Sequence, residues 1–356
     1  MKILIAVDKS RHIYLKPFSE KLSKYNIQTK IVDDLDIYKS TNNKKILRWF
    51  NTPSTFNKIL NEFKPDLVFT ERTSHFCSLL SKHKIPFVIF LRGDYWEEYR
   101  IAKQESTPLK KIELISKNKI ATNCFNSALA ILPICNYLEK ITNKNFPHKK
   151  IFRLYQGIDI ENWKNNSTEL KLCHPCIGFL QSANIAEKAK EMKILSDVID
   201  RFPNITFYWA GDGPYRNEIL RVLDKFENFK WLGQLEYPNQ VKEFLSEIDI
   251  YGLCTGLDMS PHTILEAGIL KKPTIATDVG GVSESIMDNK TGFLVQKNNP
   301  KDWVEKIEIF VNEPRKILQM GNNASDFVQE NYNWGKITLD FLDIIKNIHK
   351  ENQDSD

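Results

Sequence analysis

Short apolar runs alternate with longer stretches of helical periodicity along the whole chain. The runs Ile3–Val7, Thr29–Val32, Leu67–Thr70, Phe87–Leu91, Ala130–Pro133 and Ile151–Leu154 predict six strands in the first half. Cys176–Leu180, Ile205–Ala210, Phe229–Leu232, Ile248–Leu253, Thr274–Thr277 and Gly292–Val295 predict six more in the second. Strand–helix alternation predicts α/β architecture, and each set of six suffices for one doubly wound domain. Such sheets bind ligands beyond the carboxyl ends of their strands. Between the halves, the polar stretch Asn162–Glu169 reads as a linker, placing the junction near residues 157–171. After Trp334, Ile337, Phe341, Ile344 and Ile348 fall on one helical stripe, with Leu342 and Ile345 beside it. The tail NQDSD is expected to fray.

At 356 residues the chain exceeds what one core usually serves. No apolar run reaches the ~20 residues of a membrane-spanning helix. The first run is too short for a signal peptide, and six scattered cysteines suit a reduced, cytoplasmic chain. Charge is unevenly divided: residues 1–160 hold 28 Lys/Arg against 15 Asp/Glu, a net +13, and residues 161–356 hold 22 against 30, a net −8. A basic half beside an acidic one implies an anionic partner. Two basic stretches, Lys44–Phe50 and Pro108–Ile120, have the Lys-plus-apolar composition of interfacial helices, so contact with an anionic membrane surface is an expectation. Nucleic acid is not expected, because no binding motif is present and the aromatics are not interleaved with the basic runs.

The densest chemistry lies in residues 250–296. A strand ends in a loop that feeds a short helix, with Ser260 as expected cap, Pro261 in the first turn and Lys271-Lys272-Pro273 closing it. The backbone N–H groups opening such a helix, with the positive end of its dipole, suit a phosphate. Asp258 in the loop and Glu266 in the helix, eight positions apart, frame that site and suit sugar or ribose hydroxyls.

This run resembles the nucleotide-sugar signature of family 4 retaining glycosyltransferases, which have the GT-B fold: two Rossmann-like doubly wound domains facing a central cleft. The match comprises Asp258, Glu266-Ala267, Lys272-Pro273 and Gly280-Gly281-Val282-Ser283-Glu284, with Asp258 standing where the family usually has Glu. The resemblance is specific over most of residues 150–300 and loose before them. It implies an acceptor-binding domain over 1–159, a donor-binding domain over 160–335 and a terminal segment, 336–356, crossing back to the first domain. By the same resemblance Glu266 binds ribose hydroxyls, Asp258 binds donor sugar hydroxyls, and the backbone of His262, Thr263 and Ile264 faces the diphosphate. Lys188 neutralises the leaving group, but the partner Arg of the family falls on Ala183. Lys190 or Arg92 is a substitute. The turn at Gly211 and the backbone near Gly233–Leu235 border the base. In the first half, Phe90–Trp96 sets a charged turn after a strand. Arg92 and Gly93 stand where the family places a donor-contacting His-Gly, and Asp94 is the candidate for orienting an acceptor hydroxyl.

The expected reaction is transfer of a sugar from a UDP- or GDP-linked donor to a hydroxyl of a glycan or lipid-linked acceptor, with no cofactor. A catalytically degenerate nucleotide-sugar-binding protein is the alternative, motivated by Ala183 and Asp258. No metal is expected: Asp34-Leu35-Asp36 reads as a turn, and Cys173-His174-Pro175-Cys176, although spaced like zinc ligands, reads as a strand start. The histidines other than His262 form no evident cluster.

Overall fold

A computed structural model of the chain describes residues 1–38, 45–164 and 169–353, with the side chains at 45–51, 164, 349 and 351–353 outside the described set. Contacts divide the chain into two units, Met1–Gly157 with Trp334–Asp356, and Ile158–Asn333.

The first unit carries five parallel strands: β1 (Lys2–Ala6), β2 (Gln28–Val32), β3 (Leu67–Thr70), β4 (Phe87–Leu91) and β5 (Ala130–Pro133), in the order β2-β1-β3-β4-β5. Every residue of β3, β4 and β5 is buried, which explains runs without polar alternation. The expected strand Ile151–Leu154 is reduced to a single bridge, Ile131 to Ile151, with flanking bonds such as Leu154 N to Pro133 O at 3.0 Å. Asp34-Leu35-Asp36 is not a turn but part of a short helix, Asp34–Tyr38. The C-terminal helix Trp334–Gln353 lies against the helix His12–Ser23 of this unit. Its stripe Ile337, Phe341, Ile344, Ile348 is buried, and Phe18 packs against Trp334 and Phe341 with ring centroids 5.3 and 5.2 Å apart. Hydrophobic periodicity and aromatic packing therefore agree on which face of this helix is covered.

The second unit carries six parallel strands: β6 (Cys176–Leu180), β7 (Thr206–Ala210), β8 (Phe229–Gly233), β9 (Ile250–Leu253), β10 (Thr274–Thr277) and β11 (Gly292–Val295). Their order, β11-β10-β9-β6-β7-β8, means that the chain builds outward from β6 on one side, then crosses over to β9 on the other. The crevice beyond the carboxyl ends of β6 and β9 is thus the topological switch point, where two adjacent loops diverge and leave room for a ligand. The core between sheet and helices is built from Phe179, Phe207, Trp209, Trp303 and neighbouring aliphatic residues. Within the stretch expected as linker, residues 160–164 form a short helix and 165–168 lie outside the described residues.

Candidate donor site in the second unit

Three loops converge at the carboxyl edge of this sheet, following β6, β7 and β9. The β6 loop leads into the helix Ala186–Met192, and the β9 loop into the helix His262–Ile269. Lys188, on the first of these helices, donates from Nζ to Asp258 Oδ2 at 2.6 Å, joining the two sides of the switch point. Both side chains are largely shielded, so water weakens the attraction less than at an open surface. The other carboxylate oxygen of Asp258 accepts the Met259 N–H at 3.0 Å. The Gly280-Gly281 turn closes over the Asp258 backbone: Gly281 N donates to Asp258 O at 3.2 Å, and Gly280 has φ +58°. A Cβ on Gly280 would lie 2.0 Å from Asp258 O, so any side chain there displaces the loop that carries the acid.

The helix His262–Ile269 begins without a side-chain cap. Ser260 does not fill that role, because Pro261 is extended (φ −68°, ψ 113°) and is itself the N-cap, moving the helix start one residue along. Proline has no side-chain acceptor, so an anion is a suitable complement to this terminus. Glu266 lies one turn in and is only 2% exposed, and its Oε1 is 3.0 Å from His262 Nδ1. Thr263 Oγ1 meets the Tyr251 hydroxyl at 2.6 Å, and that hydroxyl also donates to Leu180 O at 3.2 Å. Burial holds the Tyr251 phenol well above its ordinary pKa, so it remains a neutral hydrogen-bonding group tying the helix to the end of β6. Ile264 is buried beneath.

The β7 loop supplies Gly211, whose Cβ would sit 2.0 Å from Gln181 O; only a bare backbone fits. Gly211 N donates to Gly233 O at 2.7 Å, and Trp231 Nε1 to Gly211 O at 2.8 Å, so the Gly211 turn and the end of β8 form one rim. Gly233 has φ +76°, and Leu235 beside it is half-buried.

The structure brings Lys188, Asp258, Glu266, His262, Thr263, Gly211 and Gly233 to one edge of one sheet. Ala183 is buried, with its N–H bonded to Asp212 O at 2.9 Å and its O accepting Tyr215 N at 3.1 Å, so no cation stands at that position. Of the substitutes, Lys190 is exposed on its helix. Arg92, in the first unit, is paired with Glu71 at 2.9 Å, and the bond neutralises it. In the same unit Asp94 caps the helix Tyr95–Glu105, accepting Glu97 N at 3.0 Å, while Gly93 sits beneath the Glu98 carboxyl. Burial, with the Asp94 charge adding to it, raises the Glu98 pKa. Lys272 of the Lys-Pro match lies at the other edge of the sheet, facing Asp249 and Cys176.

Sequence reasoning missed three groups. Lys297, after β11, donates to Gly256 O at 2.9 Å and lies 3.4 Å from Glu187, placing a second ammonium against the β9 loop. Arg216 binds Asp212 at 3.2 Å and lies over the Trp231 ring at 5.3 Å. Glu191 is buried, its Oε1 accepts Asn298 N at 2.8 Å, and its backbone O accepts the Cys254 thiol at 3.3 Å. The longest of these contacts spans 110 positions, so no local motif announces it.

Residues 179–327 match the family model described as Glycosyl transferases group 1. An uncharacterized glycosyltransferase from Methanocaldococcus jannaschii is 25% identical over 233 residues, covering 64% of this chain and 63% of that protein. Across the first curated relatives the matched stretch spans between 49% and 63% of their own length. Among solved structures, sucrose-phosphate synthase from Thermosynechococcus elongatus superposes with TM-score 0.76 at 12% identity, over 99% of this chain and 100% of that one. Anabaena HepE in complex with UDP-glucose gives 0.69 at 14% identity, over 98% and 100%. The fold is that of GT-B glycosyltransferases, and the second unit carries the match to glycosyl transferases group 1.

Proposed function

We propose that the chain is a retaining glycosyltransferase of family 4 type. Its second unit takes a UDP- or GDP-linked sugar, and its basic first unit takes a glycan or lipid-linked acceptor. The observation that carries this reading is the Lys188–Asp258 pair, with Glu266 one turn into the helix that follows Asp258, at the switch point of the unit that matches the family model. The likeness to HepE, whose structure holds UDP-glucose, supports a nucleotide sugar as donor.

In this reading the diphosphate competes for Lys188 and releases Asp258 for the sugar hydroxyls, while Glu266 takes the ribose hydroxyls. The anomeric carbon–oxygen bond to the phosphate breaks as the acceptor oxygen bonds on the same face. Charge grows on the leaving diphosphate, and Lys188 and the helix opening at His262 stabilise it most at that stage. The departing phosphate oxygen takes the acceptor proton, so neither a separate base nor a metal is required. Incubation of purified protein with UDP- and GDP-sugars and simple acceptors, read by NMR for the anomeric configuration of the product, tests this. An inverted product overturns the retaining assignment. The buried Ala183 favours the second reading, a binding protein without transfer, and donor binding with neither transfer nor hydrolysis would select it.

The first unit also carries a helix with exposed apolar and basic residues. On the helix Pro108–Ser127, Leu109, Ile112 and Ile115 are 82%, 67% and 53% exposed, among Lys110, Lys111, Lys117 and Lys119. We propose that this face rests on an anionic cytoplasmic membrane surface, each lysine near it contributing about 1 kcal/mol before salt screening. No helix among the described residues is long and apolar enough to cross a membrane. The companion stretch Lys44–Phe50 has its side chains outside the described residues.

A further inference from the structure

At the opposite edge of the second sheet, the residues opening β6 and β9 form a second cluster. Register pairs Ile177 with Ile250, so Cys176 and Asp249 are lateral neighbours at the amino edge. They lie a strand length, roughly 13 Å, from the donor-side loops. His174 Nδ1 is 2.9 Å from Asp249 Oδ2 and 3.7 Å from Cys176 Sγ, and the three ligand atoms lie within 4.8 Å of one another. Reading the histidines as unclustered therefore fails for His174, because Asp249, which joins it to Cys176, is 75 positions away.

We propose that His174 Nδ1, Cys176 Sγ and Asp249 Oδ2 bind a zinc-class divalent cation, with solvent in the fourth position. Zinc bonds of about 2.0–2.3 Å set tetrahedral donor separations of roughly 3.3–3.7 Å. The Cys–His spacing already meets this, and the His–Asp pair needs only to open by less than about 1 Å as the cation replaces the hydrogen-bonded proton. A nitrogen, a thiolate and a carboxylate are the donor set zinc prefers over magnesium or calcium.

Neighbouring groups surround two of the ligands, His174 and Asp249. The far ring nitrogen of His174, Nε2, lies 3.8 Å from Glu247 Oε2, so a shift of under about 1 Å would bring that carboxylate into hydrogen-bond reach of the ligating imidazole. The Cys176 N–H donates to Asp249 Oδ2 at 2.8 Å and aims that carboxylate at the cluster. Asp249, Glu247 and a Cys176 thiolate against the Lys272 ammonium, which faces all three, leave two net negative charges for a dication. Binding releases the thiol proton to solvent and shifts the imidazole proton from Nδ1, where it bonds Asp249, to Nε2. The cation would fasten the chain entering the second unit to the turn before β9. It is remote from transfer chemistry and does not rest on the proposed function.

Cobalt titration of untagged, chelator-stripped protein tests the site. Wild type should bind one equivalent and show a near-ultraviolet thiolate-to-cobalt band, with one zinc per chain by elemental analysis after zinc loading. Cys176→Ser should lose the band. His174→Ala, at an exposed residue that leaves the core intact, should lose stoichiometric binding while retaining its melting temperature in chelator. Glu247→Gln should weaken affinity by about 10-fold or more. Absence of the band in wild type, its persistence in Cys176→Ser, or undiminished binding by His174→Ala would overturn the assignment.

Discussion

The two units share a parallel-sheet plan, yet they use the charged groups at their switch points differently. In the first unit that point lies between β1 and β3, and the pair there is Arg72 with Asp8 at 3.2 Å. Asp8 is also the cap of a short helical turn, accepting from the Ser10 N–H and hydroxyl at 3.0 and 2.7 Å, and these bonds, followed by Arg72, lower its pKa despite partial burial. The helices after β3 and β4 are closed by Ser74 and Asp94. In the second unit, the helices after β6, β7 and β9 follow Ile185, Tyr215 and Pro261, and none has a side-chain cap. There the charged pair, Lys188 and Asp258, bridges the loops on either side of the switch point. Capping alone does not separate the units, since the helices His12–Ser23 and Asn136–Asn145 of the first unit also open without a side-chain cap and Asn299 caps a helix of the second. What differs at the two switch points is the pair: Asp8 is engaged by Ser10 and its pair with Arg72 is open to solvent, whereas Lys188 and Asp258 are shielded beside the uncapped opening at Pro261, which retains the capacity to hold an anion.

Substitutions can break this contrast. The largest effect is expected at Glu266: Glu266→Ala should reduce transfer by at least ~10²-fold, the scale for losing one buried polar contact to the reacting complex, with the fold retained. Near wild-type turnover in a soluble variant would remove Glu266 from the site. Next, Lys188→Ala should slow turnover by ~10²–10³ and weaken donor binding less, because the lysine matters most when leaving-group charge has developed. Single-turnover kinetics with separate donor affinity measurements check this, and a loss below about fivefold, roughly 1 kcal/mol, would assign the role to another cation such as Lys297.

In the first unit the effect should fall on stability. Asp94→Ala should cost about 1 kcal/mol through loss of its cap, whereas Asp94→Asn, which still accepts the Glu97 N–H, should keep both melting temperature and transfer. A stable Asp94→Asn variant with impaired transfer would make Asp94 a substrate contact. The smallest effect concerns pH. Burial raises the Glu191 pKa above its ordinary 4.5, with the Asn298 N–H and Lys297 only partly opposing it. The stability tied to the protonated carboxyl is therefore present below that ordinary value and is lost as pH rises through the raised one. Glu191→Gln should melt higher than wild type at neutral pH, and the difference should shrink toward pH 4. A constant difference across that range would show that Glu191 ionisation does not contribute.

Most of the strand plan was legible because buried parallel strands are written as short runs of apolar and β-branched residues; β3, β4, β5, β6, β10 and β11 begin and end where those runs do. Ile151–Leu154 differs: Arg153 interrupts it and is exposed, only Leu154 is buried, and the segment makes one bridge. Lys188, Asp258 and Glu266 were legible through motif spacing. Their Lys188–Asp258 bond, 70 positions apart, was not, nor were the partners of Glu191 and Lys297, because pairing between loops is fixed by strand order. The Ser260 cap failed for a local reason: the extended Pro261 takes the N-cap position.

The central claim is that the carboxyl edge of the second sheet holds a nucleoside diphosphate. Thermal melting of wild type and Lys188→Ala with UDP, GDP and their sugars tests it most directly. A ligand that binds only the folded chain stabilises it by about 2.7 kcal/mol at 100 times its Kd. One nucleotide series should raise the wild-type melting temperature in a concentration-dependent manner, with a smaller rise in Lys188→Ala. No rise with any of these ligands at millimolar concentration, or an equal rise in the variant, would contradict the account.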